Sequence, residues 1–363
     1  MNILIISDAW EPQVNGVVRN YKSLIKVFEA RGLNVRVISP NEFTTIPCPT
    51  YPEISLSLFP GRKLERLMLE SKPDFIHLPT EGPLGWAAQA ICKKKGWPFS
   101  TCYHSKFPEY VHERFRVPVS LTYGVLRKFH QAGGATMVTN ADLKTELAER
   151  GFTKLALRRV GVDHGLFRPM VDKTYLNFLK LPRPLWVCHG RVAPEKNLEG
   201  FMNLDLPGSK IVIGPGPLLE KYKRQYPKVH FTGYLPDDEM VKYIASSDAF
   251  VFPSLTETFG FVQLEALACG VPVAAFPVTG PKAVLGGSPA GVMDTNLARG
   301  ALAALAIKPD VCRARALNFS WEEAADDVLD AFQPLPHVRP EAADEAKRPR
   351  TGVGGQSRAA VVN

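Results

Sequence analysis

Short apolar runs recur along this chain, each ending at Gly, Pro, Ser or Asp and each followed by a polar turn and a longer stretch. The first, Met1-Asn-Ile-Leu-Ile-Ile-Ser-Asp8, is followed by a Pro/Gly loop to Gly16, a helical pattern to about Gly32, and a second run at residues 33–39. Strand, loop, helix and strand in that order make a βαβ unit. Downstream, residues 184–187, 210–213, 229–235, 248–252 and 271–276 repeat the theme. Runs that are continuously apolar, rather than alternating, predict strands covered on both faces, and strand ends that stop in Gly, Pro or Ser feed ligand-side loops. A final helical pattern over residues 319–332 has Ser320 as its N-cap and acidic residues in its first turns. Beyond it, residues 333–363 are rich in Pro, Ala, Gly and charge, which predicts a disordered tail. The chain of 363 residues exceeds one compact core and divides into two α/β domains of ordinary size, 1–160 and 161–315.

Two carboxylates eight positions apart stand out in Ser254-Leu-Thr-Glu-Thr-Phe-Gly-Phe-Val-Gln-Leu-Glu265. Glu257 sits in a polar turn and Glu265 on the apolar segment that follows. A helix beginning near Gly260 would aim free amides and a positive dipole end toward Glu257, an arrangement suited to a sugar diphosphate nucleoside. An ordinary helix start, with Glu265 on a solvated face, fits the same residues equally well. Upstream, Val187-Cys-His-Gly-Arg191-Val-Ala-Pro-Glu-Lys196-Asn places two cations five residues apart beyond a strand end. A flat guanidinium fork and a mobile ammonium can converge on a phosphate pair, although a solvated basic loop is the plainer reading of such residues taken alone.

Four features now occur in order over about ninety residues: the Gly-Arg…Glu-Lys-Asn segment, the Gly-Pro-Gly-Pro turn after residue 213, the Glu257/Glu265 pair and Ala-Cys-Gly-Val-Pro-Val. In this order they resemble the carboxyl-terminal half of the retaining family-four glycosyltransferases, which have the GT-B fold of two Rossmann-like doubly wound domains facing across a cleft. The resemblance implies that Arg191 and Lys196 hold the donor diphosphate. It implies further that Glu257 contacts the donor sugar with help from the backbone at Thr258, Phe259 and Gly260, that Glu265 binds ribose hydroxyls, and that Gly214 and Tyr234 flank the base.

The first half is similar to the same family. Its Pro-Gln-Val-Asn-Gly16 loop matches the one that closes over the donor phosphate from the opposite domain, with Gly16 allowing close backbone approach. His104, in Tyr-His-Ser-Lys-Phe-Pro-Glu-Tyr110, matches the histidine facing the donor sugar, although a lone His is more often a structural hydrogen-bonder. Asp163, in Gly161-Val-Asp-His-Gly, matches the interdomain connection and also reads as a turn cap. In the resembling fold the helix at 316–332 crosses back onto the first domain.

Charge is uneven. Residues 1–160 carry 22 Lys and Arg against 14 Asp and Glu, whereas residues 161–363 carry 22 of each. Basic residues neighbour apolar ones at residues 59–69, 93–97 and 114–129, which points to peripheral contact between the first domain and an anionic membrane. For any single segment, core packing with solvated cations is the simpler account. Nucleic-acid binding ranks low because no recognisable motif accompanies the charge. No apolar run approaches twenty residues, and Met1 opens a core strand without a basic leader, so neither a membrane span nor a signal peptide is expected. Six scattered cysteines without metal-ligand pairing read as reduced thiols, consistent with a cytoplasmic enzyme on the inner face of the cell membrane.

No Asp-x-Asp metal motif is present, and besides Asp8 and Glu11 no carboxylate stands out as a nucleophile. The resemblance implies a retaining, metal-independent transfer without cofactor, in which the leaving diphosphate assists deprotonation of the acceptor. A UDP-sugar is favoured as donor and a membrane lipid such as diacylglycerol as acceptor. GDP-mannose-dependent mannosyl transfer is the alternative, followed by a sugar-nucleotide 2-epimerase and a non-catalytic sugar-nucleotide sensor.

Overall fold

The computed structural model describes residues 1–13, 15–49 and 51–347. Two parallel six-stranded sheets, one in each half of the chain, form the framework. Strands β1 (Asn2–Ile6), β2 (Asn34–Ile38), β5 (Phe75–Leu78), β6 (Ser100–Cys102), β7 (Ala135–Val138) and β8 (Leu155–Leu157) form the first, in the order β2-β1-β5-β6-β7-β8. An antiparallel hairpin, β3 (Thr45–Cys48) and β4 (Tyr51–Ser57), stands apart from that sheet. The second sheet contains β9 (Leu185–His189), β10 (Ser209–Ile213), β11 (His230–Gly233), β12 (Ala249–Phe252), β13 (Val273–Ala275) and β14 (Gly291–Met293), in the order β11-β10-β9-β12-β13-β14. Counted within its own domain, that order is 3-2-1-4-5-6, the order of doubly wound nucleotide-binding sheets.

The continuous apolar runs have the physical cause expected of them. Ile3 to Ile6, Phe75 to Leu78, Leu185 to Cys188 and Ala249 to Phe252 are buried, because helices cover both faces of each sheet. In such sheets ligands bind beyond the carboxyl ends of the strands where the strand order reverses. Those points fall between β1 and β5 in the first domain and between β9 and β12 in the second.

The chain passes between domains twice, near Gly161 and near Trp321. The two crossings lie together: Val162 N donates to Phe319 O at 3.2 Å, and a Cβ on Gly161 would come within 2.5 Å of Trp321. Asp163 caps the turn beside them, its Oδ1 accepting from the amides of Gly165 and Leu166, both at 3.0 Å. The helix Trp321–Ala331 then lies on the first domain, burying Ala324, Ala325, Val328 and Leu329 with Leu24 and Phe28. Its N-terminus is capped by Ser320, whose Oγ accepts from the amides of Glu322 and Glu323.

The expected tail is corrected in part. Residues 333–347 are ordered: Leu335 is buried and its amide donates to Asp74 O at 2.9 Å, and a helix follows at Pro340–Lys347 with Ala343 buried. Lys347 Nζ reaches back to Phe332 O at 2.9 Å. Composition suggested disorder because large apolar residues are scarce there. Leu335 and Ala343 nevertheless dock on surfaces the first domain has already built. Residues 348–363 lie outside the described residues.

Candidate nucleotide-sugar site

Beyond β9 and β12 the two loops at the switch point of the second sheet are tied to one another. Asn197, in a left-handed conformation (φ 50°), donates from Nδ2 to Pro253 O at 2.9 Å, and Ser254 Oγ approaches Lys196 O at 3.4 Å. This brings Lys196, at the end of the turn Pro194–Lys196, into a hydrogen-bonded ion pair with Glu257. Arg191 is half-buried in the same loop, five residues before Lys196. Expected diphosphate cation and expected sugar carboxylate therefore share one place.

The turn after Glu257 is shaped by Gly260, whose φ of 83° suits glycine and which caps the helix Phe261–Ala268. A Cβ there would meet Gln263 Nε2 at 2.6 Å and the Phe252 ring at 2.8 Å. Phe259 is buried against Phe261 and Phe319, and its carbonyl accepts from Gln263 Nε2 at 3.1 Å. The first amides of this helix have no intrahelical partner by construction. Glu265, in the second turn, is not on a solvated face: it is 4 % exposed. Its Oε1 accepts from Arg19 of the first domain at 2.7 Å, and His189 Nδ1 lies 3.4 Å from Oε2. Neither Oε2 nor His189 Nδ1 has a hydrogen-bond partner of good geometry among the described residues. Burial alone would raise the Glu265 pKa; Arg19 and His189 carry it down to about 2, so the side chain is an anion.

Gly214, just past β10, has φ 132°, and a Cβ would sit 2.1 Å from Gly190 O. Backbone packs on backbone here, so Gly214→Ala combines left-side φ strain with a clash and is expected to lower the thermal midpoint by roughly 5 °C or more. A melting curve that overlays the wild type's would rule this out. Tyr234 follows β11 and is exposed, near Arg19.

The first domain meets these loops directly. Gly16 opens the helix Gly16–Ala30, capped by Asn15 Oδ1 on the Val18 amide at 3.0 Å; a Cβ on Gly16 would lie 3.6 Å from the Phe261 ring. Thr258 Oγ1 donates to His104 O at 2.7 Å, and Asn140 Nδ2 donates to Thr258 O at 2.7 Å. The cleft is thus closed over the donor loop in this structure. His104 meets that loop through its carbonyl, while its ring turns inward, with Nε2 3.2 Å from Tyr21 Oη. Tyr21 Oη in turn lies 2.6 Å from His77 Nε2, and His77 Nδ1 lies 2.8 Å from Ser100 Oγ. Burial, together with the neighbouring Arg158, holds His104 well below the usual histidine range and His77 down to about 3. Both rings are neutral at physiological pH and serve as hydrogen-bond partners, not cations. Asp8, past the end of β1, is buried beneath the helix Pro83–Lys95; it accepts from the amides of Leu84 at 2.8 Å and Gly85 at 3.1 Å, and burial pushes it up to about 6.

Sequence reasoning missed Arg19, His189, Asn140 and Asp237. Arg19 lies three residues past Gly16 on the same helical face, and His189 is two residues before Arg191, so proximity to the motifs was an available signal. Which side chains would bridge the cleft was not.

Two parallel doubly wound domains closed on each other along their strand-end loops define the GT-B architecture. Residues 14–166 match the family model described as Glycosyltransferase Family 4, and residues 183–307 match Glycosyl transferases group 1. Among relatives, the sulfoquinovosyl transferase of Arabidopsis thaliana is 32 % identical over 289 residues, covering 72 % of this chain and 56 % of that protein. A GDP-mannose-dependent alpha-mannosyltransferase of Mycobacterium tuberculosis is 25 % identical, covering 78 % and 80 % respectively. An alpha-monoglucosyldiacylglycerol synthase of Streptococcus pneumoniae is 25 % identical, covering 76 % and 71 %. The sucrose-phosphate synthase structure from Thermosynechococcus elongatus shares the fold, with a TM-score of 0.69 at 21 % identity over 89 % of this chain and 96 % of that one. The chain belongs to the family-four glycosyltransferases. It spans little more than half the length of the plant sulfoquinovosyl transferase.

Proposed function

We propose that this chain is a retaining glycosyltransferase that moves a hexosyl or hexuronosyl group from a UDP-sugar to a membrane lipid such as diacylglycerol, forming an α-glycoside. The observation that carries the donor half is the gathering of Arg191, Lys196, Glu257 and Glu265 at the β9/β12 switch point, with one buried oxygen of Glu265 left as an acceptor for a ribose hydroxyl. Arg191 and Lys196 hold the diphosphate. As the bond from anomeric carbon to phosphate oxygen breaks, negative charge grows on the leaving group, and two fixed cations stabilise that change more than the ground state. The acceptor oxygen bonds to the anomeric carbon on the same face, and its proton passes to the departing phosphate oxygen. Glu257 fastens the sugar through its hydroxyls. His104 shapes the sugar side of the pocket as a neutral group, its carbonyl fixing the donor loop through Thr258.

The acceptor half rests on the surface of the first domain and on the diacylglycerol-naming relative. Phe107 and Phe115, at the two ends of one helix, and Leu121 and Val125, four apart on the next, expose apolar side chains. Arg114, Arg116, Arg127 and Lys128 accompany them. Phe59 is almost fully exposed beside Arg62 and Lys63. Leu64, Leu67, Met68, Tyr123, Leu126 and Phe129 pack inward, so each basic segment has a core face and an outward apolar remainder. No helix among the described residues is long and apolar enough to cross a membrane. Outward aromatics and cations suit peripheral binding to an anionic leaflet at the cytoplasmic face.

Turnover of UDP-glucose, UDP-glucuronate, UDP-galactose and GDP-mannose with diacylglycerol-containing vesicles tests the proposal. Activity confined to soluble sugars and indifferent to vesicles would sink the lipid acceptor; strict preference for GDP-mannose would favour mannosyl transfer, the reading supported by the mycobacterial relative. Combining Phe115→Glu with Leu121→Glu is expected to weaken partitioning onto anionic vesicles by about tenfold or more, with UDP affinity unchanged. Equal sedimentation of variant and wild type with vesicles would exclude this surface.

A further inference from the structure

Glu265 is buried, yet the chemistry expected of it requires a ligand to reach it. Against its Oε1 lies Arg19, which comes from the opposite domain 246 residues away in sequence. The second arm of the same guanidinium holds Asp237 Oδ1 at 2.8 Å, at the start of the helix Asp237–Ala245. One side chain thus spans the cleft and grips two carboxylates of the second domain. Arg19 N–H groups and ribose O–H groups are both donors, and they compete for the same buried carboxylate lone pairs. The vicinal diol of a ribose matches the two oxygens of a carboxylate, whereas here one oxygen is taken by Arg19 and the other has only His189 Nδ1 at 3.4 Å, without hydrogen-bond geometry.

We propose that Arg19 is an internal occupant of the ribose site: in the donor-free protein it straps the cleft shut through Glu265 and Asp237, and an incoming nucleotide must displace it. The inference rests on the ribose role proposed for Glu265. The strap sets donor affinity, since the free energy of the Arg19 contacts is subtracted from that of the nucleotide. It also ties the helix that starts at Gly16 to the donor pocket, so release of Arg19 and opening of the cleft are one event. His104–Thr258 and Asn140–Thr258 are single hydrogen bonds at the same interface and can re-form when the cleft closes again.

Calorimetry with UDP and with GDP, and an interdomain distance measured by fluorescence transfer between labels on the two domains, test the strap. Arg19→Ala should bind its preferred nucleotide at least threefold more tightly than wild type and show a longer distance without nucleotide. Asp237→Asn, at an exposed position, should shift both readouts in the same direction by less. Unchanged or weaker nucleotide binding in both variants overturns the proposal and makes Arg19 a bystander or a donor ligand. Glu265→Gln placed in the Arg19→Ala background, where no strap contact is left to lose, separates the two claims: if the double variant binds UDP as tightly as Arg19→Ala does, the ribose assignment fails, while the distance measurement still decides whether Arg19 straps the cleft. If neither nucleotide binds any variant, an unchanged distance in Arg19→Ala overturns the strap and a longer one upholds it.

Discussion

Replacing Lys196 with alanine lowers turnover by about 100- to 1,000-fold while leaving the protein folded. The ammonium sits at the end of a short turn, held by Asn197 and paired with Glu257, so it is placed before the donor arrives. Preorganisation matters because the charge it stabilises appears only as the glycosidic bond breaks. Removing it also leaves Glu257 without its cation. Glu257→Gln therefore forms the control: it removes the partner and keeps the cation, and its loss of turnover should be smaller than that of Lys196→Ala. The double variant should lose less than the two single effects combined, since each side chain orients the other. Initial rates with the preferred donor, beside circular dichroism and thermal melting, read both quantities. A folded Lys196→Ala enzyme turning over at close to the wild-type rate would remove Lys196 from the mechanism, and with it the leaving-group account.

Glu265→Gln is expected to weaken nucleotide binding by about 10- to 100-fold and to flatten the acid limb of the stability profile. Glu265 has a folded pKa of about 2 against an ordinary value of 4.5. A carboxylate with a depressed folded pKa adds stability that is fully present above its unfolded value and disappears as pH falls through the folded one. The window is therefore pH 4.5 down to about 2, and the contribution is about 3 kcal/mol for a group this deeply buried. In the wild type, unfolding free energy should fall through that window; in Glu265→Gln the fall should be shallower by this amount. Urea unfolding at a series of acid pH values measures it. Superimposable acid limbs would mean that Arg19 and His189 do not hold Glu265 as an anion. Asp8 acts in the opposite sense: with its pKa raised to about 6, it makes the fold less stable as pH rises from about 4 to 6.

Much of the architecture was legible because burial on two faces writes itself into a strand as an unbroken apolar run. Residues 184–187, 210–213, 248–252 and 271–276 read as strands for that reason, and the loops beyond them carry the motifs. The helix start at Gly260 was legible too, because a polar turn, a glycine and an apolar segment leave few alternatives. Composition misled at residues 333–347, where a few small contacts on an existing surface were enough to order the chain. Periodicity could not say whether Phe115 and Leu121 face the core or the solvent, since both choices leave helical spacing intact. Nor could it orient the ring of His104, which is fixed by Tyr21 from a different element.

By itself, then, the order of residues determined the strands of two α/β domains and the loops on which donor chemistry would sit, because strand burial and turn stereochemistry act over a few neighbours at a time. Tertiary structure alone decided that Lys196 meets Glu257, that Arg19 reaches Glu265, and that the His104 carbonyl, not its ring, meets the donor loop. These contacts join residues 61, 246 and 154 positions apart. Such pairings depend on strand order and on how the domains close, and no local pattern of apolar and polar positions encodes either.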